Sequence, residues 1–296
     1  MTVAVPLTLG QLQGAGVFAS SRQSMIGLGM PHLTACGLSE TWLLKELGHR
    51  HWQLIAQASG LERPVFRDRA GDTVYAAFCG VAIRDARFDA LREHDDLLIA
   101  SDIARVSRTQ FASRHHLSRE GRALGVVEML SVFVKRAAPG QNRSIVRVAV
   151  AGLGQMPLRP EFTDLTTRVP SLRGGDWTEH FGFRADDAEV LESTTILPCP
   201  SQDFNGAGLL YFSSFQSAVD RLEWATFGAR YPALTTTARD IVYHGNVDIG
   251  EPIIVALCGL RETADHLDHW CRLTATRDGR VLADVFSKRK RLGFNG

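Results

Sequence analysis

Five cysteines in 296 residues are too few and too scattered to organise this chain. Cys36, Cys79, Cys199, Cys258 and Cys271 are odd in number, and no two have Cys-x-x-Cys spacing. That argues against a disulfide framework or a zinc ribbon and leaves five reduced thiols, mostly small core residues. No apolar run approaches the roughly 18 residues that suggest a membrane span. Met1–Gln13 has no basic stretch leading into an apolar one, so no signal peptide is read there. The formal net charge is +1, so no global field draws the chain to nucleic acid or an anionic membrane, and any anion site must be local. There is no Gly-x-Gly-x-x-Gly after a strand, no Walker A sequence, no His-Glu-x-x-His and no Gly-x-Ser-x-Gly elbow. These absences argue against nucleotide-dependent, zinc-protease and α/β-hydrolase chemistry. The expectation is a cytoplasmic protein without bound cofactor or metal.

What is present is an ordinary globular mix, 45% apolar and 22% charged. Leu43, Leu44, Leu47, His51, Leu54, Ile55 and Ala58 recur at helical spacing, which predicts a buried helix over 40–59 with Ser39 as N-cap and Gly60 as stop. Leu210, Tyr211, Phe215, Ala218, Val219 and Leu222 predict a second over 207–226, capped by Asp203 or Asn205. Segments 73–83, 97–106, 124–135 and 144–150 read as strands, and the texture returns at 241–247, 253–260, 269–276 and 280–289. Arg277-Asp278-Gly279 suits a hairpin turn between the last two. Setting Leu43-Leu44 on Leu209-Leu210 brings the two patterns into line. Residues 151–176, with Pro157, Pro160, Pro170, Gly174 and Gly175, read as a connection. The expected fold is α+β, a long helix wrapped by an antiparallel sheet, made twice: a double hot-dog with halves 1–170 and 171–296. An unrelated α+β pair is the rival.

The segment from Gly29-Met30-Pro31-His32 through Cys36-Gly37-Leu38-Ser39-Glu40 leads into His51-Trp52, and Val74-Tyr75-Ala76-Ala77-Phe78 follows. Later come Pro198-Cys199-Pro200-Ser201-Gln202-Asp203-Phe204-Asn205-Gly206 and Leu209-Leu210-Tyr211-Phe212. In order and content these motifs resemble a polyketide-biosynthesis family typified by the bifunctional acyltransferase/decarboxylase of the leinamycin pathway, over nearly the whole chain. The resemblance implies an enzyme that takes a malonyl- or methylmalonyl-type thioester from coenzyme A and loses CO2. It would then pass the shortened acyl group to the phosphopantetheine of an acyl carrier protein. Tyr75 matches the family's functional tyrosine.

Such chemistry needs donors fixed around a developing oxyanion in a dry pocket, and a helix N-terminus offers free N–H groups. Ser39, Gly37, Asn205 and Gly206 stand where the two helices begin; Ser39 and Asn205 serve equally well as simple caps. A phenol with an ordinary pKa of about 10 needs a base or cation beside it to act as a nucleophile, and His51, Glu40 and Arg84 are candidates for Tyr75. Each has a structural alternative: a core tyrosine, a satisfied core histidine, a first-turn acid. His32 and Thr34 could orient the acyl group from the entry loop. Lys288, Arg289, Lys290 and Arg291 form the strongest local charge signal, either a solvated end or a contact for coenzyme A and carrier phosphates. Adjacent His115 and His116 would point to opposite faces in any regular strand, which disfavours a metal. Two other classes stay open. One is a thioesterase or dehydratase on the same scaffold, the latter with His51 and Asp203. The other is a non-catalytic carrier-docking module. An open sheet edge suggests a homodimer.

Overall fold

The computed structural model describes residues 20–293, apart from 139, 151, 152, 154, 155 and 188. Met1–Gln13 lies outside the described residues. Ten strands form one antiparallel path: β1 (Ser20–Gly27), β2 (Thr73–Arg84), β3 (Asp96–Arg105), β4 (Gln110–Arg119), β5 (Arg122–Arg136), β6 (Glu192–Ile196), β7 (Leu234–Tyr243), β8 (Ile253–Glu262), β9 (His266–Ala275) and β10 (Val281–Arg291). Their spatial order is β1-β3-β4-β5-β2-β7-β10-β9-β8-β6. Read inward from either edge, each half lays down its first, third, fourth, fifth and then second strand. A long helix separates the first two strands of each half: α1 (Glu40–Ala58) and, later, α3 (Phe212–Phe227). This is the α+β double hot-dog fold.

Both helices bury one apolar stripe on the same side of the sheet, Leu43, Leu44 and Leu47 from α1 and Phe215, Val219 and Leu222 from α3, in one shared core. The halves meet where β2 pairs β7, with Gly80–Ile83 set against Arg239–Val242. A third helix, α2 (Leu165–Gly174), covers the opposite face of that seam by touching β2, β5 and β7. The division expected near 170 falls within it. Asp240, buried under α2, accepts from Arg84 (2.6 and 2.9 Å), Arg168 (2.9 Å) and His180 (2.9 Å), which ties the covering segment to both halves.

Some expectations move. Ser39 does cap α1, accepting from the Trp42 N–H at 3.2 Å. The second helix begins at Phe212 rather than 207, with Tyr211 at its N-cap. The reason is local. Asn205 Oδ1 accepts from the Ala207 and Leu209 N–H groups, and Asn246 Oδ1 from that of Leu210, so these donors are used sideways in a loop. Glu40 therefore corresponds to Phe212, and the Leu43-on-Leu209 alignment was out of register. Strands β1, β4 and β6 were not read from the sequence, and β7 begins at Leu234, ahead of the expected 241.

Candidate active site

Beyond Gly80 and Val242 the central strands stop pairing and diverge. The wedge between Tyr75–Cys79 of β2 and the end of β7 with the residues after it, Tyr243–Asn246, opens into a cavity of about 690 Å³. Its depth is apolar, with Phe78, Val132, Val134, Ile145, Leu210, Phe212 and Phe215 in the wall. Gly48 of α1 makes the close approach possible, since a Cβ there would lie 2.8 Å from the Phe212 ring and 3.2 Å from the Tyr211 hydroxyl. The N-terminus of α3 stands in this wall without a side-chain cap, so its first-turn N–H groups have no side-chain acceptor. Tyr243 fixes that end by donating its hydroxyl to the Phe212 carbonyl at 3.1 Å.

Of the residues singled out in the sequence, Tyr75, Asn205 and Gly206 come together here. Tyr75 is half-buried, leans on Trp52 at 6.4 Å between ring centroids, and makes no hydrogen bond through its hydroxyl among the described residues. Asn205 spends its carbonyl oxygen on the loop, leaving its amide N–H groups for the cavity.

The others lie elsewhere. His51 is fully buried between Ser113 and Ser131, at 2.7 Å from each, and a further chain runs from Ser113 through His115 to Ser101. Burial pushes its pKa down to about 3, so it is a neutral core link away from the cavity. Ser39, Glu40, His32, Thr34 and Gly37 gather at the start of α1, at the other end of the seam. There His32 accepts from the Gly29 N–H at 2.8 Å. Thr34 donates to the Gly37 carbonyl at 3.2 Å, and Gly37 has a φ of 108° against the Phe88 backbone. Asp203 accepts from the Cys199 N–H at 2.8 Å and lines a separate small crevice, so it forms no pair with His51.

The start of α1 is the counterpart of the cavity, with the roles of the halves exchanged, and it is filled. Asp220 sits as far along α3 as Gly48 sits along α1. Arg239 pairs Ser287 as Phe78 pairs Ser131. Arg239, fully buried, lies 3.0 Å from Glu40 and 2.7 Å from Asp220. Arg289 and His269 hold Glu223 at 2.9 and 2.8 Å, and Thr236 donates to Glu40 at 2.6 Å. Burial lifts the Glu40 carboxyl above its ordinary range against the pull of Arg239. Burial also opposes charge on Glu223, but Arg289 and His269 prevail and bring its pKa to about 2. Glu40 is therefore a structural ion-pair member rather than a base. The basic run is no single patch either. Arg289 points into this cluster, Lys288 lies over the Phe181 ring, Lys290 approaches Asp89, and Arg291 stacks on Tyr231.

Sequence reasoning missed His244 and the arginines of the cavity. His244 lines the wall, and its Nε2 lies 3.0 Å from Asp284 Oδ2, close but off the line of a good hydrogen bond. Asp284 is buried and also accepts from Trp270 Nε1 and Arg272 Nε, both at 2.9 Å. Burial pushes its pKa up, but His244, Arg272 and Trp270 outweigh that and hold it below the usual carboxylate range. The polar run His244-Gly245-Asn246 closing an apolar strand was a usable signal. Arg143, Arg147, Arg173 and Arg280 also line the cavity, and among the described residues no Asp or Glu does.

No family model and no curated protein matches this chain. Solved structures do. A 12:0-ACP thioesterase from Umbellularia californica aligns over 92% of this chain and 94% of its own, with TM-score 0.61 and 10% identity. An acyl-ACP thioesterase from Bacteroides thetaiotaomicron gives 0.59 and 8%, covering 91% of this chain and 97% of its own. A Lactobacillus plantarum protein described as an oleoyl thioesterase gives 0.64 and 16%, covering 97% and 100%. These likenesses show the double hot-dog fold; the narrower resemblance to the leinamycin-type family rests on the sequence motifs.

Proposed function

We propose that this chain is an enzyme acting on acyl thioesters of coenzyme A or of a phosphopantetheine-bearing carrier protein, and that its cavity hydrolyses them. The observation that carries the reading is a wall that combines apolar depth, an uncapped helix N-terminus and cationic side chains without a carboxylate. The acyl chain occupies the apolar depth. The thioester carbonyl turns toward the first N–H groups of α3 and the Asn205 amide, which stabilise the oxyanion as it forms. His244, held by ionised Asp284, takes the proton of an attacking water. Collapse of the tetrahedral intermediate breaks the C–S bond, and the proton on His244 passes to the departing thiolate. The names of the structural neighbours favour hydrolysis. A dehydratase fits less well, since its expected pair, His51 and Asp203, is not assembled.

Decarboxylative transfer is the second reading, favoured by Tyr75, which lines the cavity and whose hydroxyl has no hydrogen-bond partner among the described residues. In that scheme the phenol accepts the acyl group and the carrier thiol removes it. Intact-mass measurement of a carrier protein, with free-thiol detection, separates the readings after incubation with a panel of acyl-CoA thioesters that includes malonyl- and methylmalonyl-CoA. Free thiol without acyl-carrier supports hydrolysis. Acyl-carrier lighter by CO2 supports transfer. No change across the panel would leave a binding module and overturn both.

A further inference from the structure

The cavity mouth holds positive charge that the protein leaves unbalanced. Arg280 is occupied, donating to the Asn246 carbonyl at 2.6 Å and pairing with Asp278 at 2.6 Å. Arg143 and Arg147 are exposed and make no ion pair or side-chain hydrogen bond among the described residues. Arg173 reaches in from α2 and is half-buried, with the Cys79 thiol as its polar neighbour and its Nε without an acceptor. Arg147 is close enough to Arg173 and Cys79 to act on both electrostatically. Two guanidiniums on one wall of the same cavity, with no carboxylate among the described lining residues, repel one another, and an anion between them would relieve that. Guanidinium forks suit phosphate oxygens well.

We propose that Arg147 and Arg173, with Arg143 at the rim, form a phosphate subsite that anchors the pantetheine arm of the substrate. This rests on the thioester reading and moves the anion contact from Lys288–Arg291, which the fold disperses, to the mouth of the cavity. Cys79 beside Arg173 marks where the arm passes inward.

The test is calorimetric titration with coenzyme A, 4′-phosphopantetheine and pantetheine, none of which requires turnover. Coenzyme A and 4′-phosphopantetheine should bind more tightly than pantetheine. Arg147→Ala and Arg173→Ala should each weaken the two phosphorylated ligands by about tenfold or more, because a charge-assisted bond is lost. Pantetheine binding should not move. Arg173→Lys, which keeps the charge, should recover part of the affinity, and melting temperatures check that each variant is folded. Equal weakening of all three ligands, or none, overturns the subsite. So does a result in which a carboxylate-bearing acyl-pantetheine loses affinity in the variants while coenzyme A does not; the arginines would then read the acyl group. Arginine-dependent coenzyme A binding without turnover of any thioester would keep the subsite and sink the enzymatic reading.

Discussion

Tyr75 and His244 face the same cavity and make opposite commitments. Among the described residues the Tyr75 hydroxyl has no hydrogen bond to lose, so Tyr75→Phe should cost under about 0.5 kcal/mol, less than an ordinary bonded hydroxyl. If the phenol carries the acyl group, transfer to a carrier protein should fall by orders of magnitude at an unchanged melting temperature; normal transfer would rule that role out. His244→Gln should lower hydrolysis by roughly 10²–10⁴-fold at an unchanged melting temperature, since the group that takes the proton from water is lost. A variant with unimpaired hydrolysis would show that His244 is only a wall residue. Tyr75 and Asn205 were legible because they sit in motifs with helix or strand context. His244 was not, because its partner Asp284 lies on another strand and reads there as one polar residue in an apolar run. The arginines were hidden for a similar reason. Arg173 lies in a segment that reads as a connection, and the fold alone sets it against Arg147.

The two long helices were legible as elements because an apolar stripe repeats along each, yet the start of α3 was misplaced by loop hydrogen bonds that periodicity cannot register. Strand β4 was invisible for a different reason. Its sequence, Gln-Phe-Ala-Ser-Arg-His-His-Leu-Ser-Arg, buries Ser113 and His115, which bond to each other and, through His115, to Ser101 of β3 inside the sheet. The element-level contrast between cavity and ion cluster is testable. Arg239→Met leaves half-buried Asp220 without its cation and buried Glu40 with only Arg289 at 4.0 Å, and should cost roughly 3–5 kcal/mol in urea unfolding. Coenzyme A binding at the distant cavity should be unaffected. A loss below about 1 kcal/mol would mean that the cluster fills space without holding the helices. On the other side of the seam, Gly48→Ala sets a methyl against Phe212 and Tyr211. It should cost about 1–3 kcal/mol and shorten the acyl chains accepted, read as a shift in chain-length preference.

At the scale of the whole molecule, acid should weaken the fold in a defined window. Unfolded His51 takes up a proton near its ordinary 6.5, whereas burial holds the folded imidazole at about 3. The unfolded state therefore binds more protons between those values, and stability falls as pH drops through them, by an amount on the order of 5 kcal/mol. Asp240 adds the same sign lower down. Burial raises its pKa, but His180, Arg84 and Arg168 pull it to about 2, so its contribution is lost below the ordinary carboxylate range. Urea midpoints across pH 7 to 4 should show the slope, and His51→Asn should flatten it; an unchanged slope would assign the sensitivity elsewhere. The expected homodimer has β1 and β6 as candidate edges. The cavity draws its wall from both halves of one chain, so turnover per chain should not change as dilution dissociates such a dimer.

The unequal fate of the two helix starts has a genetic consequence. In an assembly of two identical copies, every substitution appears twice, once at each equivalent place, and a change that improves one pocket must be tolerated in the other. Here each half is encoded separately. An arginine can be planted at position 239 while its counterpart stays phenylalanine, and a glycine can be kept at 48 while an aspartate stands at 220. The single chain can thus set aside one of two matching hollows for bracing and keep the other open, a division of labour that a symmetric pair has no means to encode.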